Sequence, residues 1–240
     1  MEKIKNLPQH IAVIPDGNRR WAKKQGFNSW LGHRQGVESL EKVLKAAFDL
    51  GIPYFSFWGS SLDNITKRSR PEVKFLLNLF AKKFTELAKA KDIHQNKVQI
   101  NVFGRWQELF PKRVSGAIEK AIEATKNYRQ YRLNFFLAYN GTDEMLETVR
   151  QIVKIAKKQN PLEIGPELLK SHLWTKDLPP IDLIIRTGSQ GDPHNSAGFM
   201  MWDSADSQLH FSQTLWPDFT RKEFTEIIKG YSQREKRFGA

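Results

Sequence analysis

The stretch His10-Ile11-Ala12-Val13-Ile14-Pro15-Asp16-Gly17-Asn18-Arg19-Arg20-Trp21-Ala22 decides how the chain is read. Its apolar run, His10 to Pro15, has the length and composition of a buried strand. The run stops at an acid, a glycine, an amide and two arginines, and a helix-compatible segment follows. A strand handing over to a helix across a polar turn is the building unit of an α/β fold. The turn also gathers a carboxylate, backbone N–H groups and two guanidinium forks. A helix N-terminus attracts anions, arginine grips phosphate oxygens in pairs, and a carboxylate can hold a magnesium ion that keeps its waters. These groups suit a metal-bound polyphosphate.

Outward from this stretch, strand-like and helical runs alternate. Strands are predicted at Tyr54 to Trp58, Val98 to Phe103, Leu133 to Tyr139 and Ile181 to Ile185, with a short sixth at Gln208 to Phe211. Helical periodicity runs over Trp30 to Leu50, Glu72 to Ala90, Trp106 to Thr125, Thr142 to Lys158 and Phe219 to Tyr231. The expected fold is therefore α/β, one domain over residues 1–240 with a mainly parallel central sheet flanked by helices. Polar, glycine-containing turns follow the strands at Asp16-Gly17-Asn18, Gly59-Ser60-Ser61, Asn140-Gly141-Thr142 and Arg186-Thr187-Gly188-Ser189. Ligands of such sheets bind beyond the carboxyl ends of the strands, so the polar chemistry is expected along one sheet edge.

Composition narrows the partners. The chain has 240 residues, 40% hydrophobic, enough for one large core. It has no cysteine, which excludes disulfides and thiolate metal sites. No run of about 18 apolar residues and no signal-peptide pattern occurs. The net charge of +12 points to anionic partners. The aromatic residues lie inside apolar periodic segments, not interleaved with basic ones as in a base-stacking platform, so no nucleic-acid partner is expected. A glycine-rich dinucleotide loop, a Walker A lysine loop, a zinc-protease helix and a nucleophile elbow are all missing. The six histidines show no zinc-ligand spacing.

Five segments resemble the cis-prenyltransferases, the undecaprenyl diphosphate synthase family. They are Asp16-Gly17-Asn18-Arg19-Arg20-Trp21-Ala22, Gly32-His33-Arg34-Gln35-Gly36, Trp58-Gly59-Ser60-Ser61-Leu62-Asp63-Asn64 with Arg68, Asp182-Leu183-Ile184-Ile185-Arg186-Thr187-Gly188, and Leu215-Trp216-Pro217-Asp218-Phe219. The ending Arg237-Phe238-Gly239 is similar to that family's C-terminal signature. Each segment alone is weak; together and in order they span nearly the whole chain.

The resemblance implies condensation of isopentenyl diphosphate with an allylic diphosphate, releasing pyrophosphate and making a cis double bond. It also implies magnesium, a hydrophobic tunnel enclosed by the helices and a homodimer. It places magnesium on Asp16 and, with Gly17, Asn18, Arg19, Arg20, Trp21 and His33, surrounds the allylic diphosphate. Arg186 binds isopentenyl diphosphate, and Ser61, Leu62, Asp63, Asn64 and Arg68 line the reacting centre. Asp16 and Asn64 are the expected catalytic groups, Asn64 orienting a phosphate oxygen that takes the proton. Phe135 or Phe136 is expected to limit product length. The enzyme is expected in the cytoplasm, touching membranes at most through its lipid product.

The chain departs from the family's pattern around the second diphosphate. Ser189 to Trp202 is longer than usual and lacks a second arginine, with His194 and Ser196 as partial replacements. Gln208 stands where a metal-binding glutamate is usual, and a neutral amide holds magnesium less well. Ser29 stands in place of an arginine, and Asn140-Gly141-Thr142 replaces a glycine-glycine-arginine turn. Two alternatives stay open: a non-standard acceptor or coupling giving a short or branched product, and a non-catalytic subunit supporting an active partner. Taken singly, Asn64 also reads as a helix cap, Arg186 as half of a surface ion pair and His33 as solvent-facing.

Overall fold

The computed structural model describes residues 5–158 and 162–234. Its centre is a six-stranded parallel sheet in the order β3-β4-β2-β1-β5-β6. The strands are β1 (His10–Ile14), β2 (Tyr54–Trp58), β3 (Val98–Phe103), β4 (Tyr131–Phe136), β5 (Leu183–Arg186) and β6 (Gln208–Phe211). The helices are α1 (Asn18–Lys24), α2 (Ser29–Asp49), α3 (Leu62–Thr66), α4 (Arg70–Leu87), α5 (Lys91–Gln95), α6 (Trp106–Leu109), α7 (Lys112–Thr125), α8 (Gly141–Ala156), α9 (Pro166–His172) and α10 (Arg221–Ser232). From β1 the chain moves to β2 on one side, and β5 later joins β1 on the other. The crevice above β1 and β5 is thus the switch point at which open parallel sheets bind ligands.

Alternation along the strands splits the core. Ile11 and Val13 face one helical layer with Phe55, Phe57, Leu133 and Phe135. Ala12 and Ile14 face the other, with Trp58, Phe136, Tyr139 and Phe199. All five β1 residues are buried, as expected of a central parallel strand.

Two expected elements differ. The single helix over Trp106 to Thr125 is broken into α6 and α7, because Pro111 forces Phe110 into an extended conformation, φ −94° and ψ 145°. The fourth strand ends at Phe136, not Tyr139. Ala138 takes a left-handed conformation, φ 50°, and its N–H bonds the Ser60 hydroxyl, so the ladder cannot continue. The short helices α3, α5 and α9 carry too few residues for a periodic signal.

His10 anchors a buried polar chain across the sheet. Its Nδ1 donates to the Pro179 carbonyl at 2.8 Å and its Nε2 accepts from Ser56 Oγ at 2.7 Å. Asn134 in turn donates to Ser56 Oγ at 3.2 Å. Burial lowers the His10 pKa from 6.5 to about 4. The unfolded chain therefore binds this proton more readily than the folded one. The stabilisation is complete above pH 6.5 and is lost as pH falls through about 4. Thermal unfolding of wild type and His10→Asn at pH 7 and pH 5 tests this, with the smaller acid-induced fall in Tm expected in the variant.

Candidate anion pocket and apolar tunnel

Asp16 leaves β1 at the switch point. Gly17 follows at φ 107°, where a Cβ would meet Leu215 at 2.7 Å, so the turn needs glycine. The turn is backed by the Leu215-Trp216-Pro217 segment: Trp216 N–H donates to the Asp16 carbonyl at 3.0 Å, and its indole N–H to the Gly36 carbonyl at 2.7 Å. Thr187 Oγ1 also donates to the Asp16 carbonyl, at 2.9 Å. The backbone is fixed from three sides, leaving the carboxylate to face the crevice.

That carboxylate meets two guanidinium groups. Arg20, one helical turn later, lies 3.1 Å from Oδ1, and Arg186, at the end of β5, donates to Oδ2 at 2.9 Å. Arg20 also donates to the Gly188 carbonyl at 2.5 Å. Arg186 is only 6% exposed, spends another N–H on the His194 carbonyl at 2.8 Å, and has a buried Nε–H without a partner. An unpaired buried donor beside a carboxylate and a second arginine fits an oxyanion ligand.

The turn, α1 and the start of α2 enclose a cavity of about 650 Å³. It brings together seven of the expected residues: Asp16, Gly17, Asn18, Arg19, Arg20, His33 and Arg68. Lys23 adds a further cation. Glu72, in the first turn of α4, was not foreseen from sequence, where it reads as an ordinary acid at a helix start. Its buried Oε1 lies 2.9 Å from Arg68 Nη1, 3.3 Å from His33 Nε2 and 3.8 Å from Arg19 Nε. Burial, then the Arg68 cation, lowers the His33 pKa to about 4, so the imidazole is neutral near pH 7. His33 is inside the site, not in solvent.

Other expected residues lie elsewhere. Ser61 and Asn64 form a reciprocal cap on α3: Ser61 Oγ accepts from the Asn64 N–H at 3.0 Å, and Asn64 Oδ1 from the Ser61 N–H at 3.3 Å. Leu62 N–H bonds the Tyr139 carbonyl, and Asp63 pairs with Lys67 at 2.8 Å on the surface. Trp21 donates to Asp218 at 2.7 Å and packs beside Phe27. His194 contributes its backbone carbonyl, while its half-exposed ring pairs with Asp192 at 2.8 Å. Ser196 opens a single 3₁₀ turn. Gln208 sits level with Leu183, three residues below Arg186 along the sheet and therefore about 10 Å from it. Its Oε1 accepts from Arg234 at 2.8 Å, so within one chain it does not join Asp16 as a ligand.

Beyond His33, α2 runs along a second cavity of about 540 Å³. Leu40, Leu44 and Phe48 on α2 face Phe80 and Phe84 on α4, over a floor of Phe57 and Phe135. Phe135 packs edge-on against Phe84, centroids 5.1 Å apart, whereas Phe136 lies on the opposite face of the sheet. An anion pocket thus lies at one end of α2, and an apolar tunnel runs along the rest of the helix.

Residues 14–239 match a prenyltransferase family described as putative undecaprenyl diphosphate synthase. The chain belongs to this family. It is a transferase of the cis-prenyl type, condensing isopentenyl diphosphate with an allylic prenyl diphosphate. Among relatives, the tritrans,polycis-undecaprenyl-diphosphate synthase (geranylgeranyl-diphosphate specific) of Pyrococcus horikoshii is 40% identical over all of this chain and 90% of its own. The isoprenyl transferase of Thermotoga maritima is 36% identical, with 97% of each chain covered. Among solved structures, lavandulyl diphosphate synthase from Lavandula x intermedia, in complex with dimethylallyl diphosphate, superposes with a TM-score of 0.88 at 26% identity, covering 98% of this prenyltransferase and 99% of that chain. A probable undecaprenyl diphosphate synthase from Campylobacter jejuni gives 0.77 at 26% identity, covering 98% and 100%.

Proposed function

We propose that this enzyme holds an allylic diphosphate in the Asp16–Arg20–His33–Arg68 pocket, with its prenyl tail in the adjoining tunnel, and makes a long cis-prenyl chain from it. The observation that carries this reading is the succession of two cavities along α2, one lined by Arg19, Arg20, His33 and Arg68 and the next by Leu40, Leu44 and Phe48. Relatives specific for geranylgeranyl diphosphate make that the preferred starter here.

In each cycle the allylic carbon–oxygen bond breaks, a bond forms to the terminal alkene carbon of isopentenyl diphosphate, the positive charge passes to the adjacent substituted carbon, and a proton leaves the methylene on that carbon's far side to make the new double bond. Arg20 and Arg68 stabilise the departing pyrophosphate, since charge grows there as the bond breaks. Arg186 holds the isopentenyl diphosphate. Asn64, fixed by its cap on α3, orients a phosphate oxygen that accepts the proton. The donor set fits magnesium: Asp16 offers one partly exposed carboxylate, and magnesium is commonly held by one or two carboxylates plus substrate phosphates. Among the described residues no cluster of three or more histidine or acidic side chains would hold it without substrate. When bound, the ion supplies charge neutralisation at the diphosphate oxygens.

The enzyme is proposed to act as a homodimer. Leu209 on the edge strand β6, with Met201 and Trp202, is exposed, as are Leu146, Val149 and Val153 along one stripe of α8. Arg237-Phe238-Gly239, expected near a partner's site, lies outside the described residues. A cytoplasmic setting is proposed, with membrane contact through the product; no helix among the described residues is long and apolar enough to cross a membrane.

The test is purified protein with magnesium, labelled isopentenyl diphosphate and a panel of starters from dimethylallyl to geranylgeranyl diphosphate, with products sized. Incorporation into long products is expected. Absence of turnover with every starter would instead favour a non-catalytic subunit, and turnover of starters without isopentenyl incorporation an unusual coupling. Phe135→Ala, which opens the tunnel floor, should shift products to longer chains by one or more isoprene units. Phe136→Ala, on the other face, should lower stability by about 3 kcal/mol or more without changing length.

A further inference from the structure

We infer that Glu72 is a positioning residue for the allylic diphosphate site, an assignment that rests on the function proposed above. Its side chain is 5% exposed, yet it carries a carboxylate. Burying a carboxylate is costly unless it is paired, and the groups around it are those that the anion pocket uses. Arg19 comes from α1, His33 from α2, and Arg68 from the segment joining α3 to α4. All three line the pocket, and all three approach one oxygen, Oε1.

The ordinary role for this position does not account for the geometry. Glu72 is the third residue of α4, where an acid can reach back to the N-cap. The N-cap, Ser69, makes no side-chain capping bond, and the Glu72 carboxylate points away into the cluster instead. His33 Nε2 lies 3.3 Å from both Glu72 Oε1 and Arg68 Nη1, so the imidazole is held between the carboxylate and the guanidinium. Arg68 spends one N–H on Oε1 and retains the rest of its fork.

Arg68 also borders a third cavity, of about 470 Å³, lined by Arg70, Lys74 and Arg113. Its guanidinium therefore stands on a wall between two spaces, and the ion pair with Glu72 ties it to the His33 side. In this account Glu72 holds no substrate. It aims Arg68 and orients His33, so that the phosphate meets donors already in place.

The test compares wild type, Glu72→Gln and Glu72→Asp. Calorimetry measures binding of an unreactive geranylgeranyl S-thiolodiphosphate, and steady-state kinetics give KM for each substrate. Glu72→Gln should weaken thiolodiphosphate binding and raise the allylic KM by about tenfold or more, the size of one lost charge-assisted hydrogen bond. The KM for isopentenyl diphosphate should stay within about twofold, because Arg186 bonds Asp16 and the His194 carbonyl, away from Glu72. Glu72→Asp should recover part of the loss. In an Arg68→Ala background, Glu72→Gln should add little further.

Equal rises in both KM values would reduce Glu72 to a general structural role and overturn the inference. So would unchanged or tighter thiolodiphosphate binding, which would make the carboxylate a mere competitor for the cations. If Glu72→Gln does not fold, Glu72→Asp decides by the same two KM values. An inactive wild type that binds no thiolodiphosphate defeats the proposed function, and this inference with it. An active wild type with an unaltered Glu72→Gln variant defeats this inference alone.

Discussion

Asp16→Asn should lower kcat/KM by about three powers of ten while leaving the fold intact, because Asp16 is proposed to carry the metal that neutralises the leaving pyrophosphate, and losing such electrostatic stabilisation costs about 10²–10³ in rate. The side chain is 37% exposed, and its backbone carbonyl, not its carboxylate, makes the bonds to Thr187 and Trp216. Stability therefore depends mainly on atoms that the substitution keeps. Metal-free pyrophosphate binding should respond in the opposite direction. The carboxylate now neutralises Arg20 and Arg186. Removing its charge frees both for phosphate, so pyrophosphate should bind at least as tightly without magnesium, and added magnesium should no longer help. Steady-state kinetics with calorimetry in the presence and absence of the ion check both statements. Activity within tenfold of wild type would remove Asp16 from the chemistry.

Gly32→Ala should damage both stability and activity. A Cβ there would overlap the Asn18 carbonyl oxygen and lie 2.7 Å from its carbonyl carbon. The obstacle is backbone, which cannot rotate away as a side-chain tip can. Overpacking of this kind costs about 3 kcal/mol or more, a fall in Tm of roughly 6–12 °C for a chain of this size. Relief would come from lifting α1 off α2. Since α1 carries Arg19 and Arg20 and α2 carries His33, the same movement opens the anion pocket. Activity measured well below the new Tm should still be reduced at least about tenfold, because small misplacements of charge-bearing groups cost rate steeply. Thermal unfolding together with kinetics checks the pair. A variant that kept full activity would show that the α1–α2 contact does not set the pocket.

Much of this was legible in the sequence because the decisive residues are neighbours in it. Asp16, Gly17, Asn18, Arg19 and Arg20 are consecutive, and a strand followed by a helix leaves them one place to go. Arg186, at the end of another buried strand, was legible for the same reason. Residues acting through long-range packing were not. Phe135 and Phe136 are equivalent in composition; only the register of β4 against β2 sends one into the tunnel and the other to the far side. His194 reaches Arg186 through a backbone carbonyl, which any residue type would offer. Glu72 lies four positions after Arg68, a spacing that permits a helical ion pair but gives no hint of His33 or Arg19. Asn64 carried a capping reading as well as a family one, and a reciprocal cap with Ser61 is what the geometry displays.

The length of α2 has a consequence of its own. From His33 to Phe48 the helix rises about 22 Å, a rigid rod with the anion pocket at one end and hydrocarbon rungs at successive turns. Such a rod is a ruler with a fixed zero. With the tail in the tunnel as proposed, each added five-carbon unit would slide it past a further rung, so exchanging side chains near Phe48 should reset the gauge without disturbing the hand that holds the phosphate.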